Sequence, residues 1–345
     1  MIIKPNTAYI ITDKTDRTYL SKVSVAEGVM VILSDDKFYF TDDRYYHAVK
    51  NKLKSNGITP KKYNGFDSVK ETLIAYGVKT IYLNFDRVSA KEYFDYKNLG
   101  FEVLDCASEL NLLRVIKSKK ELSYIKKACK ITQKAYHKVI KTIKIGESEL
   151  DIKKRLEDTL FALGADGLAF DTIVAFGKNS AIPHHVSGKT KLKENSVILI
   201  DFGCTYFGYC ADMTRTAFIG KPNKEFIFDY NAVLNANLKA EDEIVSGIDT
   251  VLADKIARDY LKEKKLDKFF THSLGHGLGL EIHEEPYLSP KKSSVLKNGT
   301  VFSVEPGIYK VGKYGIRIED TVVLENGKVK RLFTDSKKLK KIKIK

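Results

Sequence analysis

The stretch ENSVILIDFG, residues 194–203, returns in altered form as NGTVFSVEPG, residues 298–307. At an offset of 104, Val197 aligns with Val301, Ile200 with Val304, Asp201 with Glu305 and Gly203 with Gly307. Downstream, Asp212-Met213-Thr214 matches Glu319-Asp320-Thr321 at an offset of 107. Each copy holds an apolar strand, an acid, a glycine, a turn and a second acid, which reads as a duplicated hairpin. Pairing Gly203 with Cys210 and Thr205 with Gly208 puts Asp201 directly across from Asp212, and a turn centred on Gly312 puts Glu305 across from Glu319. Residues so opposed have Cβ atoms about 4.5–5.5 Å apart on one face, and like charges there repel unless a cation lies between them.

Arg317 shares the inward parity of Glu305 and Glu319 and partly offsets that pair; it is not expected to reach Asp201 and Asp212 as well. A divalent metal site with bridging carboxylates satisfies all four acids. The best further ligand is His276, set in HSLGHGLG (residues 272–279), where flanking glycines let backbones approach closely. Four carboxylates and an imidazole form a hard, oxygen-rich set suited to Mn²⁺, Co²⁺, Fe²⁺ or Zn²⁺. Two such ions about 3.5–4 Å apart activate a water between them and clamp a tetrahedral oxyanion. The chemistry read from these residues is hydrolysis of an amide or a phosphate ester.

The rest of the chain bounds this reading. Its 345 residues exceed one comfortable core and suit two domains, and 43% hydrophobic residues with 11% aromatic argue against disorder. The longest apolar runs, such as Val197–Ile200, fall far short of a membrane helix, and MIIKPNTAYIITDK at the start lacks an apolar signal core. A soluble, cytoplasmic protein without membrane partners is expected. The net charge of +15 comes from 50 Lys and only 9 Arg, a poor basis for nucleic-acid recognition, so no nucleic-acid partner is expected. The densest basic run, KKLKKIKIK at residues 337–345, reads as a solvated end. Four cysteines show no C-x-x-C spacing, whereas five of seven histidines fall in Pro183-His184-His185 and His272…His276…His283.

Residues before about 110 alternate strands and helices: Val29–Leu33 and Phe38–Phe40 flank a turn, Asp43–Ser55 is an amphipathic helix closed by Asn56-Gly57, and Lys79–Leu83 and Phe101–Leu104 are further strands. After the charged stretch 117–120, a capping box at Ser118/Glu121 opens a long helix. Others run from near Ser148 to Gly164, over Lys224–Ser246 and over Val251–Lys264.

Asp201-Phe202-Gly203, Asp212-Met213-Thr214-Arg215-Thr216, His272-x3-His276-Gly277, Glu305-Pro306-Gly307 and Ile318-Glu319-Asp320 resemble the metallopeptidases of the pita-bread fold, in the Xaa-Pro aminopeptidase and Xaa-Pro dipeptidase (prolidase) branch. Thr41-Asp42-Asp43-Arg44-Tyr45 is similar to a signature of that branch's creatinase-like N-terminal domain, and Asn179-Ser180-Ala181-Ile182-Pro183-His184 to its N-S-A-x-P-H segment. The resemblance spans essentially the whole chain. It implies an α/β creatinase-like domain at 1–116, followed by an α+β pita-bread catalytic domain at 117–345 with an internal pseudo-twofold repeat.

The resemblance further implies that Asp201, Asp212, His276, Glu305 and Glu319 bind two divalent ions, foremost manganese, with cobalt or zinc as alternatives. The bridging acids would be Asp212 and Glu319. His184, His272 and His283 match positions that contact substrate or the tetrahedral intermediate; Glu305 matches a proton shuttle and Arg317 an arginine beside the bridging acid. His184 fits the pattern better than His185 because it follows Pro183 directly. Phe176 replaces a residue often small in the family and is expected to narrow the pocket or alter specificity. The implied activity is hydrolysis, by a hydroxide held on the dinuclear centre, of the bond between an N-terminal residue and a following proline, by a homodimer acting on small peptides. The competing readings are a ligand-poor binding module, a methionine aminopeptidase and a metal-free creatinase; the complete ligand set and the Thr41–Tyr45 signature disfavour them.

Overall fold

The computed structural model describes residues 3–342; Met1, Ile2 and the last three residues of the basic tail lie outside them. The chain divides into two compact units, Met1–Arg114 and Val115–Lys345.

In the first unit a six-stranded mixed sheet runs in the order Thr59–Lys62, Lys37–Thr41, Val29–Ile32, Thr7–Ile11, Thr80–Leu83, Glu102–Asp105. Val29–Ile32 and Lys37–Thr41 form the expected antiparallel hairpin. The Thr41–Tyr45 segment serves as a strand-to-helix junction. Thr41 is buried at the strand end, and Asp42 caps helix Asp43–Ser55, its carboxylate accepting from the Arg44 backbone at 2.9 Å and from the Arg44 guanidinium.

The second unit is built twice. Helices Lys119–Val139 and Glu149–Ala162 cover a four-stranded sheet ordered Lys340–Ile342, Met213–Ile219, Ser196–Phe202, Ile173–Phe176. Helices Lys224–Glu243 and Thr250–Glu263 cover a five-stranded sheet ordered Glu284–Leu288, Gly275–Gly277, Val301–Val304, Asp320–Glu325, Lys328–Arg331. Both helix pairs start where capping chemistry predicts: Ser118/Glu121 and Ser148/Asp151 close full capping boxes, and Asn223 and Asp249 cap the second pair. Each sheet then carries a hairpin, Cys204–Tyr206 with Tyr209–Cys210 and Gly307–Lys310 with Tyr314–Arg317. This is the α/β domain followed by an internally duplicated α+β domain that the resemblance implies. No described helix is long and apolar enough to cross a membrane.

The second hairpin has the predicted register. Gly307 faces Arg317 and Val304 faces Asp320, which continues to Glu305 opposite Glu319. The first does not: Thr205 pairs with Cys210 and Asp201 with Thr214, so Asp212 lies diagonal to Asp201, two residues along the same face. The cause is the turn. Phe207 (φ 49°) and Gly208 (φ 75°) are its two central residues, both left-handed, as the two-residue hairpin turn that matches strand twist demands.

The basic tail also departs from expectation. Lys337 is buried, its Nζ donating to Asn237 Oδ1 and Glu241 Oε2, each at 2.5 Å, and lying 3.1 Å from Asp320 Oδ2. Residues Lys340–Ile342 pair in parallel with Ala217–Ile219. Asp320, Asp335 and Glu241 meet Arg215, Arg331 and Lys337 in one buried ionic network, and the three acids supply a reason for a lysine to leave water.

Candidate active site

The two duplicated halves meet at a cavity of about 530 Å³. Its wall contains Asp201, Asp212, Glu305 and Glu319 together with Arg317, His184, His272, His276 and His283, so every candidate site residue is brought to one place. Asp201 lies on a strand of the four-stranded sheet and Asp212 immediately precedes the next, while Glu305 immediately follows and Glu319 immediately precedes strands of the five-stranded sheet; strand periodicity keeps both acids of a copy on the inward face. The halves interlock symmetrically at this point. Glu319 N donates to Thr214 O at 3.1 Å, while Asp212 N donates to Thr321 Oγ1 at 3.1 Å, and these two threonines are equivalent in the repeat.

One carboxylate oxygen of Asp212, one of Glu319 and a ring nitrogen of His276 can be chosen within 4.8 Å of one another, all three residues being buried. His276 Nδ1 lies 3.2 Å from the Gly277 carbonyl, so this nitrogen carries the hydrogen; Nε2 faces inward, 3.3 Å from Glu305 Oε1 and 3.7 Å from Asp212 Oδ2. Gly275 is required beside it: a Cβ there would stand 1.9 Å from the Ser303 carbonyl oxygen. Ser303 Oγ in turn accepts from His276 N at 3.0 Å and donates to Glu305 Oε1 at 3.1 Å.

Burial and then the neighbouring carboxylates push Asp212 and Glu319 well above the ordinary carboxyl range. Burial raises Asp201 too, against the opposing charge of Arg317. Burial works the same way on Glu305, but the hydrogen bond and charge of His276 outweigh it and hold that carboxyl at about 2. Burial depresses His276, yet Glu305 and Asp212 overcome this and lift it to about 9. Burial and the charge of His276 depress His283 to about 4. Crowded acids that favour protons, around an imidazole that favours charge, are a cluster short of positive charge.

Whether a metal pair fits is tested by the unpaired oxygens. Asp201 Oδ1, Asp212 Oδ1 and Glu319 Oε1 are buried and have no hydrogen-bond partner. A buried carboxylate oxygen left unpaired costs about 1–3 kcal/mol or more, and three converging on one cavity have a common remedy in a hard cation. The residues fit the group.

Arg317 corrects the sequence reading. Its charge acts on Glu305 and Glu319 as expected, but it also reaches across to the other copy: its Nη2 donates to Asp201 Oδ2 at 2.6 Å, its Nε to Thr214 Oγ1 at 3.0 Å and its Nη1 to Tyr309 Oη at 2.6 Å. The interlocking of the halves places Asp201 nearer the guanidinium than hairpin parity could indicate. Tyr309 was not foreseen. Its hydroxyl, accepting from Arg317, stands 2.8 Å from His272 Nε2, while His272 Nδ1 faces the Ser273 carbonyl at 2.8 Å. Both His272 nitrogens are thereby engaged. The available signal was parity, since Tyr309 follows Glu305 and Gly307 at a spacing of two. Thr214, which donates to Glu319 Oε2 at 2.6 Å, was visible in the repeat but given no role.

Of the adjacent histidines, His185 is tied down by Glu149 at 2.8 Å, and His184 is exposed at the cavity mouth. Glu149 also accepts from Phe176 N, Asn179 Nδ2 and Gly188 N, fixing the loop that carries both. Phe176 does not narrow the cavity: it is buried in the core under the first helix pair and is absent from the wall.

Residues 123–326 match metallopeptidase family M24, and residues 6–116 match the creatinase/prolidase N-terminal domain. A Xaa-Pro dipeptidase of Pyrococcus furiosus is 34% identical over 312 residues, 90% of this chain and 88% of that protein. Among solved structures, a Xaa-Pro dipeptidase from Bacillus anthracis superposes with a TM-score of 0.94 at 31% identity, covering 97% of this chain and 95% of that one. An X-Pro aminopeptidase from Thermotoga maritima gives 0.90 at 34% identity, covering 97% of each.

Proposed function

This chain belongs to metallopeptidase family M24, and from that premise we propose that it is a cytoplasmic, homodimeric exopeptidase that releases the N-terminal residue from peptides with proline second. The proposal includes the limits 1–116 and 117–345 for the creatinase-like and catalytic domains. One observation carries the chemistry: Asp212, His276 and Glu319 converge within 4.8 Å, with unpaired buried oxygens on both acids. Two divalent ions, manganese first, would be held by Asp201, Asp212, His276, Glu305 and Glu319, and when bound would supply an activated water and polarise the scissile carbonyl.

The chain's own groups divide the remaining work. Glu305, oriented by Ser303 Oγ, takes the proton of the attacking water and returns it to the departing proline nitrogen. His283, packed edge-on to His276 with ring centroids 4.3 Å apart, offers an N–H to the oxyanion. His272, with both nitrogens engaged, positions Tyr309 and through it Arg317, while Arg317 holds Asp201 in place. His184 contacts the substrate at the mouth.

The test is turnover of Xaa-Pro and Xaa-Pro-Yaa peptides after reconstitution with Mn²⁺, Co²⁺ or Zn²⁺, alongside metal content. Asp212→Asn is expected to lose at least a hundredfold in kcat and part of the metal. Full activity and full metal content in that variant would overturn the assignment.

A further inference from the structure

Taking the Xaa-Pro reading as its basis, we infer that the cavity selects peptides of three or more residues and discriminates against free dipeptides, because its wall offers no uncommitted lysine or arginine to neutralise a carboxylate on the proline. In a dipeptide the C-terminal carboxylate follows the scissile carbonyl within one residue, at most about 3.6 Å of chain. With the scissile bond held at the acid and histidine cluster, that carboxylate stays within one residue's reach of it.

The charges it would meet are few. Among the described residues, Arg317 is the one lysine or arginine in the wall. Its side chain is 4% exposed, and Nε, Nη1 and Nη2 are each engaged, by Thr214, Tyr309 and Asp201. Turning it toward a substrate carboxylate would strip Asp201 of its partner. Lysines close to the wall are likewise committed. Lys153 pairs with Asp171 at the mouth, and Lys292, 5.7 Å from the centre of the Tyr287 ring, pairs with Glu285. Of the histidines in the wall, His276 faces Glu305 and Asp212, His272 is engaged at both nitrogens and His185 is held by Glu149; beside them the wall presents Phe170, Ile173, Ile282 and the Tyr287 ring. An anion desolvated there without a partner is strongly disfavoured, whereas a peptide bond at the same place is neutral.

A longer chain also has somewhere to go. Each added residue carries the terminal carboxylate about 3.3–3.6 Å farther out. At the mouth Val186 lines the cavity while 77% exposed, and Ile182, four residues earlier on the same loop, is 54% exposed. These uncovered apolar side chains suit the residues after the proline. The loop that presents them is held by the Glu149 bonds to Phe176, Asn179, His185 and Gly188, so the mouth is a built feature.

The experiment measures kcat/KM on the metal-reconstituted full chain for Ala-Pro, Ala-Pro amide and Ala-Pro-Ala. The amide differs from the dipeptide essentially in charge, and the tripeptide adds length. At least a tenfold preference for both the amide and the tripeptide over the free dipeptide is expected, expressed mainly in KM. A dipeptide cleaved as well as its amide overturns the charge argument; an amide cleaved without the tripeptide overturns the claim for longer peptides. Absence of turnover on all three, with metal bound, refutes the underlying Xaa-Pro reading, which separates the two failures.

Discussion

Replacing Lys337 by methionine tests the most unexpected feature of the fold, the burial of the basic tail's first residue behind Glu319-Asp320. The side chain is 3% exposed and its ammonium serves Asn237, Glu241 and Asp320. Methionine keeps the volume and removes the charge, leaving Asp320, Asp335 and Glu241 with only Arg215 and Arg331. Removing one partner of a buried ionic group costs about 3–5 kcal/mol. At about 2–4 °C per kcal/mol for a unit of this size, Tm should fall by about 6–20 °C. The loss should also depend on pH. Burial and the adjacent Asp320 raise Glu241 to about 7, against an ordinary glutamate value of 4.5. The folded protein therefore binds this proton more tightly than the unfolded chain. Its stabilising contribution is complete below pH 4.5 and disappears as pH rises through 7, amounting to about 3 kcal/mol across that window. Without the lysine the folded value rises further, so the variant's deficit should be larger at pH 8 than at pH 5.5. Thermal denaturation of both proteins at the two pH values is the assay. A Tm change below 2 °C at pH 8, or an equal deficit at both pH values, would refute the reasoning.

Tyr309→Phe removes the hydroxyl shared by Arg317 and His272 without altering the ring. Activity should fall about 10–100-fold in kcat with little change in KM, the pattern for a group that orients others, and unchanged steady-state kinetics would dismiss the role. Gly275→Ala forces a Cβ onto a backbone carbonyl that cannot move aside, so the strand carrying His276 must shift. Metal affinity measured by calorimetric titration should drop at least tenfold, with a stability cost at or above the roughly 1–3 kcal/mol usual for overpacking; wild-type affinity would contradict it.

Much of the site was legible in one dimension because strands impose a period of two. Asp201, Asp212, Glu305 and Glu319 could be assigned to inward faces from spacing alone, and the second hairpin's register followed from the parity around Gly312. The Ser118/Glu121 capping box likewise marked a helix start, since its hydrogen bonds close within three residues. The first hairpin shows where such logic stops. Tyr206-Phe207-Gly208-Tyr209 admits more than one placement of a two-residue turn, and moving it by one residue displaces every opposed pair by two.

Charge partners were not legible at all. Arg317 and Asp201 are 116 residues apart, as Lys337 and Glu241 are 96 apart, and each pair was chosen by which acid lay within reach once the two halves had closed. A run of lysines read alone belongs in water; the same lysine beside three buried acids does not. The sequence by itself therefore determined which side chains could serve as ligands and on which face they would stand, because backbone geometry is local. Only the tertiary structure decided which cation neutralises which acid, and which part of the cavity is left without one, because Coulomb pairing depends on distance in space and on the water that folding removes.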